Sequence, residues 1–249
     1  MPDITSIIIL FAAGIVAGFI NVMAGGGSTI TLPILIFLGL DATVANGTNR
    51  IAIFIQNIAA IKSFKNEQYS EFKISFKMAL FALPGAIIGA LFAVRVSGEL
   101  FEKILAIVMI GIIISMIVPK KKNNTENDAA QKTSWVVYLA MFGIGFYGGF
   151  IQVGVGFLLM AALQYLMRIN LVLVNMHKVF IVLIYTFPAL VIFIVTDNVN
   201  WQLGLALAAG NAFGGWWSAK IAVKKGEKLI KGVLIAAILI MSLKLLEVF

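Results

Sequence analysis

Two basic residues stand inside apolar sequence, where a charge is hardest to keep. Arg50 ends the run Ala45-Asn46-Gly47-Thr48-Asn49-Arg50, and Lys178 ends Asn175-Met176-His177-Lys178. A cation buried in a membrane helix is costly and faces a pathway, a partner or a bound anion. Most other Lys and Arg lie in polar loops, and the eleven Asp and Glu fall near segment ends or in loops. The two cations therefore mark the expected working centre, and their sign points to a negatively charged substrate. The competing account is structural, with each cation snorkelling or capping helix carbonyls. Arg50 and Lys178 each lie ~10 Å into their helices at 1.5 Å per residue, which is far for snorkelling.

The elements that must position them follow from composition. The chain of 249 residues is 61% hydrophobic and 12% charged. Apolar stretches near the ~20 residues that span a bilayer recur from end to end, without the short alternating segments of a β-barrel. The fold class expected is an all-α polytopic membrane protein. Its segments are residues 4–24, 28–40, 43–62, 76–95, 100–118, 134–153, 155–168, 171–195, 199–220 and 230–248. The first run has no basic n-region, carries Asp3 and is followed by many like it, so it reads as a mature helix rather than a signal peptide. The absence of cysteine excludes disulfides, thiolate metal sites and Cys nucleophiles. The net charge of +8 comes mostly from loop lysines, and no basic tail or basic-aromatic patch suggests nucleic acid.

Two short segments, 28–40 and 155–168, each follow a glycine-rich break: Ala24-Gly25-Gly26-Gly27-Ser28 and Gly154-Val155-Gly156. The polar stretch 120–133 divides the chain, giving a first repeat over 1–119, a cytoplasmic linker and a second repeat over 134–249. Gly18-Phe19-Ile20-Asn21-Val22 aligns with Gly149-Phe150-Ile151-Gln152-Val153, and Gly89 to Arg95 aligns roughly with Gly214 to Lys220. Lysines cluster near residues 62–77, in the linker and over 220–231, and all three clusters belong inside by the positive-inside rule. That parity requires 155–168 to cross. The two repeats, of about five transmembrane segments each, are then inverted, and both termini lie outside the cytoplasm. A 13-residue helix reaches only ~20 Å against a ~30 Å apolar core, so the short segments must join broken helices. Their irregular backbone must be shielded by protein or line a cavity.

The remaining polar residues group around these breaks. Gly25-Gly26-Gly27 lets backbone N–H groups converge at a helix start, which favours an anion, or else lets two helices pack closely. Ser28 either caps the helix or donates to a ligand oxygen. Asn21 and Gln152 hold matching places before the breaks, and Asn46, Thr48, Asn49 and Asn175 surround the cations in sequence. Each either replaces part of an anion's water shell or bonds a neighbouring helix. His177 adjoins Lys178 and is the candidate proton relay; its alternative is a packed, hydrogen-bonding role. Trp216-Trp217 reads as an interfacial anchor. Metal-binding, protease and nucleophile-elbow motifs are absent, and the glycine run lacks a P-loop ending, so no enzyme, cofactor, metal or ATP-driven reading is supported.

At Gly25-Gly26-Gly27-Ser28, Ala45 to Arg50, Gly148-Gly149-Phe150-Ile151 and Asn175-Met176-His177-Lys178-Val179-Phe180, the chain resembles the sulfite exporter TauE/SafE family over essentially its whole length. The resemblance implies a permease of the bacterial inner membrane that exports sulfite, sulfonates or other sulfur-containing anions. The site expected is substrate-binding, at Arg50, Lys178, Gly26, Gly27, Ser28, Thr48, Asn49, Asn175, Asn21 and Gln152, near the midplane between the repeats. An anion channel and a membrane scaffold without substrate are the alternatives. The second break is less glycine-rich than the first, which implies a looser cradle there.

Overall fold

The computed structural model describes residues 3–70, 72–117, 135–167 and 169–245, and all its regular elements among them are helices. They are α1 (Ile4–Met23), α2 (Ser28–Phe37), α3 (Ala42–Asn66), α4 (Phe72–Ala93), α5 (Gly98–Ile117), α6 (Trp135–Phe150), α7 (Val155–Met167), α8 (Leu171–Val195) and α9 (Trp201–Leu245). The expected linker 120–133 and Arg168 lie outside the described residues. Of the described helices, α1, α4 and α8 are long and apolar enough to span a bilayer. α3 matches α8 at 25 residues, but Asn46, Thr48, Asn49 and Arg50 make its first half polar.

The segments read as 199–220 and 230–248 are joined more tightly than the sequence suggests. α9 runs as two helical arms that meet at Gly226, whose φ of 68° and ψ of −163° are non-helical. Only glycine takes this conformation at little cost. Lys220, Lys224 and Lys225 therefore sit on the last turns of the first arm rather than in a loop. Lys220 lies over the ring of Trp216 at 5.2 Å, and Trp217 is half exposed, as an aromatic–basic belt at a helix end requires.

What holds the helices together is a set of glycines four apart. Apolar surface gives helices little reason to associate in lipid, so close approach through small residues takes over. Residues i and i+4 lie on one helix face. Gly14 and Gly18 of α1 press against the first arm of α9, where Gly210 and Gly214 press back on the carbonyls of Phe11 and Ile15. Gly85 and Gly89 of α4 meet α6 in the same way, and Gly145 and Gly149 of α6 return the contact onto Ala82 and Ala86. α3 packs on α9, and α8 on α4. Each half thus lends its fourth helix to the first and third helices of the other.

Candidate functional site

Between α1 and α2, and between α6 and α7, the chain leaves the helix for four residues, and both segments are buried. The two breaks touch. Gly25, at φ +93°, lies against Gly156, so closely that a Cβ on Gly25 would come within 2.6 Å of the Phe157 nitrogen. A Cβ on Gly27 would sit 2.5 Å from that of Asn21, and one on Gly26 would run into the Phe157 ring. These glycines are needed for this crossing, and Gly154 (φ +68°) and Gln152 (φ +62°) turn the second break. Gln152 carries a steric penalty that glycine would avoid.

The breaks create a problem that the two buried cations solve. A helix leaves its last carbonyls without intrahelical donors, and in a dry interior each orphan is expensive. At the end of α1, Ala24 N and Gly25 N both return to Ile20 O, which leaves the carbonyls of Asn21, Val22 and Met23. Lys178 Nζ donates to Asn21 O (3.0 Å) and Val22 O (2.8 Å), and Asn175 Nδ2 donates to Met23 O (3.3 Å). At the end of α6, Ile151 N returns to Tyr147 O, which leaves Gly148, Gly149 and Phe150. Arg50 donates to Gly148 O (3.0 Å) and Gly149 O (2.6 Å), and Asn46 Nδ2 donates to Phe150 O (2.9 Å). Counted from the helix end, the same three carbonyls are taken in the same order, by a cation and an asparagine from the opposite half. The negative end of each helix dipole faces the positive charge.

The two cations differ in what else they face. Lys178 lines a small cavity at the crossing, together with Asn21, Ser28, Asn57, Gln152 and Gly156. Its volume is about 10 Å3, the space of roughly one water. No acidic side chain lines it. Arg50 stands one residue behind the wall: its Nη1 donates to Gln152 Oε1 at 3.3 Å, and its guanidinium lies 4.6 Å from the Phe193 ring centroid. The sequence suggests that the two cations are opposed faces of one anion site, whereas each of them first serves a helix end.

The other expected residues divide in the same way. Asn21, Ser28 and Gln152 reach the cavity, while Gly26 and Gly27 shape the break beside it. Gly27 takes the N-cap position of α2, so Ser28 is that helix's first residue. Asn175 also accepts from Lys178, at 2.8 Å. Thr48 Oγ1 accepts from Asn200 N at 2.9 Å and ties α3 to the start of α9, and Asn49 Oδ1 accepts from Thr31 at 2.7 Å. His177 is paired with Ser75 of α4 at 2.7 Å through Nδ1 and is not on the cavity wall. Asn57 is not singled out by the sequence reading, although it follows Arg50 by seven residues and so shares its helix face. Gln56, which accepts from Asn21 Nδ2 at 3.3 Å, escapes it too.

Ser75→Ala removes the hydroxyl that meets His177 Nδ1. The expected cost is about 1–3 kcal/mol, read as a lower unfolding midpoint, with transport retained in reconstituted vesicles. Loss of transport at unchanged stability would put His177 in the transport path.

The model of the sulfite exporter TauE/SafE family matches residues 10–245. The chain belongs to that family. A probable membrane transporter protein of Sinorhizobium, ORF9, is 29% identical over 95% of this TauE/SafE chain and 91% of its own. The probable membrane transporter protein YfcA of Escherichia coli K12 is 28% identical over 96% of this chain and 88% of its own. A probable membrane transporter protein of Haemophilus influenzae is 25% identical over 95% and 93%. No solved structure matches. A TauE/SafE protein of this kind is a membrane transporter rather than an enzyme.

Proposed function

We propose that the protein is a secondary transporter of small sulfur-containing anions, sulfite or sulfonates, working in the export direction across the bacterial inner membrane. The observation that carries this reading is the cavity at the crossing of the breaks. It has one ammonium, from Lys178, three amide side chains, from Asn21, Asn57 and Gln152, the hydroxyl-bearing Ser28, and no carboxylate. Beside it start α2 and α7, whose first N–H groups favour an anion. The sulfur chemistry of the substrate, and the direction, come from the family's description alone.

Two inverted repeats, residues 1–119 and 134–249 on either side of a cytoplasmic linker, account for the matching caps and the reciprocal glycine contacts. In that arrangement both termini lie outside the cytoplasm and the breaks meet near the midplane, where transporter sites lie. The cavity holds about one water, so a sulfur oxyanion requires the breaks to part. That need for movement favours alternating access, with one half rocking against the other, over a continuously open channel.

The test is thermal stability of the purified protein against sulfite, sulfate, thiosulfate, sulfoacetate, taurine and chloride. A ligand selective for the folded state stabilises by RT ln(1 + [L]/Kd), about 2.7 kcal/mol at 100 Kd. A concentration-dependent rise with one sulfur anion, and saturable counterflow of that anion in vesicles, is expected. No shift with any of them sinks the anion reading.

A further inference from the structure

Both buried cations cap helices, but only one has to let go. Lys178 is an ammonium with three N–H donors, and three oxygens take them: Asn21 O, Val22 O and Asn175 Oδ1, all within 3.0 Å. Met160 Sδ of α7 is more distant, at 3.6 Å. Its other side is the cavity. An anion that pairs with Lys178 must therefore take a donor from one of these oxygens, and two of the three are the last carbonyls of α1. Arg50 is built differently. Its two terminal nitrogens hold the carbonyls of Gly148 and Gly149 and the side chain of Gln152, and Gln152 stands between it and the cavity.

We propose that the two cations have unequal roles: Arg50 is a positioning residue that holds the end of α6 throughout the cycle, whereas Lys178 is an exchangeable clamp that releases the end of α1 when it pairs with the anion. This inference rests on the anion reading above and adds what binding does to the protein. Release leaves Asn175 to Met23 O, at 3.3 Å, as the remaining hydrogen bond from α8 to the end of α1 and so loosens α1 against α8, and it occurs only when an anion replaces the lost carbonyls. The cavity's small volume fits this role, because the crossing is shut while both clamps hold. The matching caps make the two breaks look equivalent. Access to the cavity makes them unequal, and the asymmetry gives the cycle a first step: the α1 end uncaps, and the α6 end serves as the fixed frame.

The test is hydrogen exchange of the wild-type protein in lipid nanodiscs, without and with sulfite, or thiosulfate if it stabilises the protein more. Peptides over residues 20–28 should exchange at least tenfold faster with saturating anion, and peptides over 147–155 should not change. Two conservative variants add a second readout. Arg50→Lys should leave anion affinity within threefold while flux falls tenfold or more, as a positioning role demands. Lys178→Arg has donors to spare beyond the α1 carbonyls, so it should bind the anion within threefold of wild type and transport it at least tenfold more slowly. Stabilisation by the anion with both breaks equally protected would leave the transporter reading standing and overturn the exchange of clamps. A tenfold loss of affinity in Arg50→Lys would overturn the positioning role. No stabilisation by any anion would remove the anion reading, and this inference with it.

Discussion

Arg50→Ala is expected to cost the protein far more stability than a lost substrate contact would. The side chain is fully buried, and it supplies donors to Gly148 O and Gly149 O at a buried helix end. Each buried acceptor left without a donor costs about 1–3 kcal/mol, so the two together cost about 2–6 kcal/mol before the void is counted. Asn46 still serves Phe150 O, which confines the damage to the two carbonyls ahead of it. Arg50→Lys keeps the charge at the helix end but replaces a planar fork by a point donor, and it should lose roughly half as much. The measurement is the unfolding midpoint in detergent, without any anion. A midpoint unchanged in Arg50→Ala, with anion stabilisation abolished, would mean that the guanidinium serves the ligand and not the helix.

Much of the architecture is legible in the sequence because membrane burial restricts what a sequence can contain. The long apolar runs, the two glycine-rich breaks and the short helices after them all stand where hydropathy and glycine place them. The pair Arg50 and Lys178 is found on cost alone, since a buried cation must be doing something. What it does is not legible. The acceptors are backbone carbonyls, present at every residue, and the identity of Gly148, Gly149, Asn21 or Val22 carries no mark of being an acceptor. A sequence shows the donor and leaves the acceptor invisible, so the absence of a nearby acid points a reader to an external anion. The backbone already supplies negative partial charge, through the buried C-terminal ends of two helices.

The helix pairing is hidden for a related reason. Gly14 and Gly18, Gly85 and Gly89, Gly145 and Gly149, and Gly210 and Gly214 each have the spacing that packs membrane helices. Spacing names a sticky face but not its mate, and the mates lie in opposite halves of the chain. The loop read between 220 and 231 fails differently: a run of lysines looks like a loop, yet Lys and Arg are good helix formers, and one glycine at 226 is enough to turn the chain.

The second large effect is expected at Gly149, where packing and capping fall on one residue. A Cβ there would come within 2.6 Å of the Ala86 carbonyl carbon, backbone that cannot step aside, while the Gly149 carbonyl accepts from Arg50 at 2.6 Å. Gly149→Ala should destabilise at or above the upper end of the ~1–3 kcal/mol range for an overpacked site, and Gly149→Leu should leave no monodisperse protein. Gly143, on the same helix, faces open space: a Cβ there would meet nothing within 4 Å, and Gly143→Ala should be neutral or slightly stabilising. The link between the two functions of Gly149 is testable through additivity. Gly149→Ala shifts the carbonyl that Arg50 holds, so much of what Arg50→Ala removes is already lost, and the double variant should fall short of the sum of the two. Gly210→Ala spoils the other helix pair, where α9 meets Phe11 of α1, and should add to Arg50→Ala within about 0.5 kcal/mol. Full additivity at Gly149 would mean that the α4–α6 contact and the cap on α6 are independent, and the clamp would then have no bearing on how the two halves are held together.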